Sequence, residues 1–179
     1  MKYFQLTLNP RYNPAPYIRG WSQKYDTRFI SAKSSHKLPS RDLLFVEPDE
    51  NLVFPDVLSF PFFLVTVKVL NAIKLYQPTM VSKQIILLDG KNSKSETYFL
   101  PILNSVDCVH PDTVWKSDKK HFKALILDKS NLGKDVIFRP AGASHSIAII
   151  NLDLAESILR RDAKGIGLTP VEIKNPNKE

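Results

Sequence analysis

A single cysteine stands in the 179 residues, so no intramolecular disulfide can form, a condition that suits a reducing compartment. The four histidines fall into no HxxxH pair and the lone Cys108 into no CxxC, so the ordinary zinc signatures are missing. Only six glycines are present against thirteen prolines, which predicts a stiff, loop-rich scaffold. They make no phosphate-binding pattern. Gly142 stands alone, and Gly165-Ile166-Gly167 lacks a third glycine and follows a predicted helix instead of opening one. Long apolar runs are lacking too. The longest, Phe60 to Val67, contains Pro61 and Thr66 and stops at Lys68, well short of a membrane span. Met1 to Leu8 alternates in polarity in place of an apolar signal core, and the expectation is a cytoplasmic protein with no membrane partner. Acidic residues are scarce early on: through residue 41, Asp26 alone faces Lys2, Arg11, Arg19, Lys24, Arg28, Lys33, Lys37 and Arg41.

The composition that remains is that of a folded globular domain, with 43% hydrophobic and 24% charged residues. Its length favours one domain over 1–179: an N-terminal strand with a basic, aromatic, proline-rich loop (1–41), a main portion (42–173) and a polar tail (174–179). The net charge of +7 suits an acidic partner, nucleic acid or anionic lipid, or simply keeps the surface solvated.

Polarity alternation predicts a strand over 3–8, and Pro10, Pro14 and Pro16 then stop regular structure. Runs at 27–32 and 42–46 read as strands, with the proline-bearing 47–61 irregular. Helical spacing of Phe63, Val67, Leu70 and Ile73 predicts a helix over 63–76 ended by Pro78, although β-branched Val65, Thr66 and Val67 favour an extended first turn. Two apolar runs, 84–88 and 97–106, flank Asp89-Gly90-Lys91-Asn92-Ser93 and predict a hairpin. Further strands at 122–127, 136–139 and 146–150 would extend the same sheet. Asn151 caps a helix to about Asp162, with Gly165 supplying its left-handed end, and 167–173 forms the last strand. The class is α+β, a single domain with a largely antiparallel sheet and two or so helices.

Chemistry is thinly marked. Asp107-Cys108-Val109-His110 places a thiol and an imidazole two residues apart, on one face if the stretch is a strand, but no oxyanion-hole or protease signature surrounds them. A buried structural thiol is the plainer reading. Asp107, Cys108 and His110, with Asp112 or His121, offer metal-ligating atoms without metal-site spacing. Lys116, Lys119, Lys120 and Lys123 flank Trp115 and Phe122, a mixture that single-strand nucleic-acid binders use. Tyr12, Tyr17, Trp21 and Tyr25, interleaved with Arg11, Arg19 and Lys24, have the composition of a protein–protein hot spot or of a loop packed over a sheet edge. Asp42, Glu47, Asp49, Glu50 and Asp56 are the only acidic concentration, a binding patch or a solvated loop.

The order of motifs Tyr98 to Cys108, Asp135-Val136-Ile137-Phe138-Arg139, Ser146 to Ile150, a short helix, and Gly165 to Val171 resembles the immunity-protein family numbered eleven of bacterial polymorphic-toxin systems, over residues 42–173. The resemblance implies a cytoplasmic protein that binds and neutralises a cognate toxin domain, often a nuclease, with no catalytic residue, cofactor or metal. Toxin contacts are then expected at Tyr12, Tyr17, Arg19 and Trp21, with a nucleic-acid-binding module as the alternative. The charge is a departure, since inhibitors that plug nuclease sites are commonly acidic and this chain is +7.

Overall fold

The computed structural model describes residues 1–175, so the tail beyond Asn175 lies outside the described residues. In chain order the strands are β1 (Tyr3–Leu8), β2 (Arg41–Phe45), β3 (Val57–Leu58), β4 (Leu64–Thr66), β5 (Ser82–Asp89), β6 (Lys94–Pro101), β7 (Ser105–Val106), β8 (Val114–Trp115), β9 (Phe122–Ala124), β10 (Ile126–Asp128), β11 (Ile137–Pro140), β12 (Ile149–Asn151) and β13 (Ile166–Lys174). Three α-helices join them: α1 (Trp21–Lys24), α2 (Val67–Tyr76) and α3 (Leu152–Leu159). The α+β class stands as expected from the sequence, but the strands divide between two sheets and a small hairpin instead of sharing one. One sheet runs β10-β13-β1-β12-β11-β7, the other β2-β5-β6-β4-β3, and β8-β9 stands apart. Most pairings are antiparallel; β2 with β5, β7 with β11 and β10 with β13 are parallel.

Three apolar clusters result. Leu6, Val65, Ile137 and Ile150 from both sheets enclose the buried stripes of α2 (Val69, Leu70, Ala72, Ile73) and α3 (Leu154, Ala155, Ile158). The opposite face of the six-stranded sheet buries Tyr3, Cys108, Leu127, Phe138 and Ile149. The five-stranded sheet buries Leu44, Ile85, Leu87, Tyr98 and Leu100 beneath the N-terminal segment, through Ile18, Tyr25, Ile30 and Leu38. Fully burying a side chain such as Phe62 or Leu87 contributes about 1.5–3 kcal/mol each, which holds that irregular segment on the sheet.

Several local expectations meet tertiary corrections. The helix begins at Val67, not Phe63, because Val65 and Thr66 pair with Phe99 and Tyr98 as strand β4. Thr27–Phe29 form a 3₁₀ turn and 30–32 an irregular bend in place of a strand, with Asp26 capping the turn by accepting the Arg28 N–H at 2.9 Å. The run 97–106 breaks after Pro101, and its remainder pairs in the other sheet as β7. Residues 122–127 divide into β9 in the small hairpin and β10 on the far edge of the six-stranded sheet. Asn151 does cap α3, its Oδ1 accepting the Leu154 N–H at 3.0 Å. The helix stops at Leu159, however, and the connection that follows it has two left-handed residues, Asp162 as well as the expected Gly165. Gly165 takes the left-handed φ of +75° expected of it, but just before β13, where a Cβ would collide with Pro55, and not at the helix end. Lys174, expected to begin the polar tail, is the last residue of β13.

The hairpin of β5 and β6 is as the sequence predicts. The Asp89 carboxylate organises its turn by accepting the N–H groups of Lys91 and Asn92, both at 3.1 Å, and the Asn92 amide at 2.7 Å. Burial pushes that carboxyl up, but these donors and the Asp49 N–H outweigh it and hold it below the ordinary range.

Candidate functional site

Cys108 and His110 do not make an active site. Cys108 is fully buried among the side chains beneath the six-stranded sheet. Burial first, then the neighbouring charges of Asp107 and Asp128, push its thiol up to about 12, so almost no thiolate exists at neutral pH. The His110 ring is also buried, with Nδ1 accepting the Asp112 N–H at 3.2 Å. Neither group can meet a substrate. A disulfide-exchange reagent is therefore expected to leave native Cys108 unmodified at pH 8 and to label one thiol per chain in denaturant; stoichiometric labelling of the native protein within minutes would contradict this burial. Among the described residues, no group of three or more His, Cys, Asp or Glu side chains could hold a metal ion.

The lysine-rich hairpin is more closed than its composition suggests. Trp115 and Phe122 pack on each other with centroids 4.3 Å apart, both half-buried, while Lys116, Lys119, Lys120 and Lys123 are exposed around them. Asp118 closes the connection by accepting the N–H groups of Lys120 and His121 and pairing with the His121 ring at 2.6 Å. Those bonds hold its carboxyl down at about 2.

The aromatic loop forms a different kind of surface. Residues 17–19 run antiparallel beside β2, with Ile18 opposite Val46, the Arg19 N–H on the Phe45 carbonyl at 2.9 Å and the Glu47 N–H on the Tyr17 carbonyl at 2.9 Å. Ile18 is thereby driven into the core, and Tyr17 and Arg19 are left outside. Tyr17 stacks on Phe60 with centroids 5.9 Å apart and planes 19° from parallel. Phe60 also meets Trp21 edge-on at 6.2 Å, and Trp21 stands edge-on to buried Phe62 at 6.1 Å. The two outer rings stay open to solvent, Tyr17 55% and Phe60 53% exposed, while Trp21 anchors them to the core. Leu43 and Phe45 are exposed on β2 nearby in sequence and pairing.

Of the residues expected to contact a partner, the fold brings Tyr17, Arg19 and Trp21 together and separates Tyr12. That ring lies over Gly165 at the entry to β13. Phe60 belongs to the surface but lies in an apolar run, Phe60 to Val67, in which nothing local distinguishes the one exposed ring from buried Phe62 and Phe63. The acidic concentration at 42–56 is not one surface, since its two ends are drawn away from Glu47, Asp49 and Glu50. Asp42 pairs with Lys24, Asp49 accepts the Asn51 N–H at 2.8 Å, and Asp56 is buried.

Beside Trp21 a cleft of about 380 Å³ opens between the N-terminal segment and the 139–145 turn, lined by Thr27, Arg28, Pro61, Lys120, Arg139, Gly142, Ser144 and His145. Arg139 is half-buried, and its Nη1 donates to the Ala143 carbonyl at 2.6 Å. His145 is held neutral, its pKa lowered to about 4 by burial and by the charges of Arg139 and Lys120. No helix among the described residues is long and apolar enough to cross a membrane. No protein-family model and no curated protein matches the chain.

Proposed function

We propose that this protein is an immunity-type inhibitor that neutralises a toxin domain by stoichiometric binding, docking through the Tyr17, Phe60 and Trp21 surface with Arg19 at its side. The observation that carries this is the solvent-facing stack of Tyr17 on Phe60, braced from beneath by Trp21. Two large rings held rigid at the surface offer a partner apolar area at little further loss of side-chain freedom, the composition and geometry of a binding hot spot. The order of strand and helix motifs over 42–173, similar to the toxin-immunity family, gives the class of partner. No catalytic group is required, and with Cys108 and His110 both buried the sequence's most reactive pair plays no part.

A nucleic-acid-binding role is less favoured, because Trp115 and Phe122 pack on each other, half-buried, instead of standing as separate stacking platforms among the hairpin lysines. The test is capture with tagged protein, against the purified product of the adjacent reading frame, at two salt concentrations. Inhibition is expected as a one-to-one complex that survives moderate salt. If the only ligand is generic DNA or RNA whose affinity falls steeply with salt, the inhibitor assignment is wrong and the nucleic-acid role replaces it.

A further inference from the structure

The cleft beside Trp21 collects cations without supplying anions to match. Arg139 and Lys120 make no ion pair among the described residues, whereas Arg28, at the rim, is already held by Asp26 at 2.6 Å. The Arg139 guanidinium is fixed by one nitrogen on the Ala143 carbonyl, and the side chain lines the cleft with further N–H donors that this bond does not use. Burial pulls that guanidinium below its ordinary value, as expected for a cation that has lost water and gained no carboxylate. His145 lines the same cleft, and burial first, then the charges of Arg139 and Lys120, oppose its protonation.

The turn that carries the cleft is also ordered. Pro140 to His145 reverses direction with Gly142 at φ +78°, and the Ser144 N–H donates to the Lys120 carbonyl at 2.8 Å, which ties the lysine's backbone to the arginine's turn. Ser144 Oγ and Ser146 Oγ lie 2.9 Å apart, giving a hydroxyl beside the cations. A pre-positioned, half-buried guanidinium with a lysine and a hydroxyl around it suits a group with two or more negative oxygens, for which bidentate arginine contacts are strong.

We propose that this cleft is an oxyanion site, and that in the inhibitor complex it receives the carboxylate of an acidic side chain from the protein partner. The second half rests on the partner assignment given above. It follows from continuity: Trp21 forms both the wall of the cleft and the brace of the aromatic surface, and Pro61 of the lining adjoins Phe60. At about 380 Å³ the cleft has room for a whole acidic side chain. It also accounts for the charge of +7, which suits a partner whose contact face is acidic.

Two measurements test this. In the first, the free protein is titrated with inorganic phosphate and with acetate at constant ionic strength, and the Trp21 indole N–H and Arg139 Nε–H signals are followed by nuclear magnetic resonance. Saturable shifts of both are expected, lost in Arg139→Gln, at least tenfold weaker in Lys120→Glu and unchanged in Lys33→Gln. Lys120→Glu keeps the bond from Arg139 to Ala143, so it decides the matter if Arg139→Gln disturbs the turn. An absence of saturation, or shifts that both cleft variants leave intact, would overturn the site. In the second, the affinity of the adjacent-frame protein for the same variants is measured, with a loss of at least tenfold expected for Lys120→Glu. Should phosphate saturate the cleft while partner affinity stays unchanged, the occupant is a free anion and the carboxylate assignment falls. If no partner binds at all, the inhibitor assignment fails while the titration still decides the oxyanion site.

Discussion

Replacing Tyr17 and Phe60 together by alanine is expected to weaken partner binding by at least about a hundredfold, the roughly 3 kcal/mol that a central aromatic pair contributes at a protein interface. Both rings are more than half exposed, so the folded protein has little to lose from their removal. The change in stability should stay within about 1 kcal/mol, most of it the lost edge contact between Phe60 and Trp21. The single variants should show non-additive losses because the rings stack on each other. Isothermal titration against the partner, alongside thermal unfolding, separates the two quantities. Tyr12→Ala provides the contrast, since its half-buried ring lies over Gly165 and outside the Tyr17–Phe60–Trp21 stack; it should lower stability and spare affinity. Equal affinities for the wild type and the double variant would remove the aromatic surface from the interface.

Asp56→Ala should be the most damaging single polar substitution, costing about 2–4 kcal/mol of stability and lowering the melting temperature by roughly 5–15 °C. Asp56 is buried where three parts of the chain converge. Its carboxylate accepts the Thr66 hydroxyl at the end of β4, the Lys164 N–H at 2.6 Å before β13, and the Lys68 ammonium at 3.5 Å on α2. Its backbone joins the same partners, with its N–H on the Lys164 carbonyl at 2.8 Å and its carbonyl accepting the Thr66 N–H at 3.0 Å. Alanine keeps the backbone bonds and strands the rest, leaving the buried Thr66 hydroxyl and the part-buried Lys164 N–H without their carboxylate acceptor. Asp56→Asn keeps an oxygen for one of those donors and should lose about half as much. Chemical denaturation of the three proteins gives the comparison, and a loss below about 1 kcal/mol for Asp56→Ala would show that water replaces the carboxylate.

Much of the fold was legible where the signal is local. The alternation in 3–8 became β1, the Asp89-Gly90 connection became the turn of β5 and β6, and Asn151 capped α3. Each depends on residues within a few positions of one another, so composition and spacing suffice. The failures share a different cause. Whether 63–66 is helix or strand is decided by Phe99 and Tyr98, more than thirty residues away, and whether 97–106 is one strand or two depends on which sheet each half meets. The candidate surface divides in the same way. Tyr17, Arg19 and Trp21 could be named from composition, but Tyr12 was grouped with them only through nearness in sequence, and Phe60 was hidden in an apolar run.

By itself, then, the sequence determined the α+β class, the hairpin, the Asn151 cap, the lack of any disulfide within the chain and the excess of positive charge, because these follow from residue chemistry and short-range geometry. Tertiary structure alone decided that two sheets share the strands, that Phe60 faces water while Phe62 does not, and that Arg139 and Lys120 line one cleft with Trp21. Those outcomes depend on which distant surfaces exclude water from each other, a quantity that no window of neighbouring residues contains.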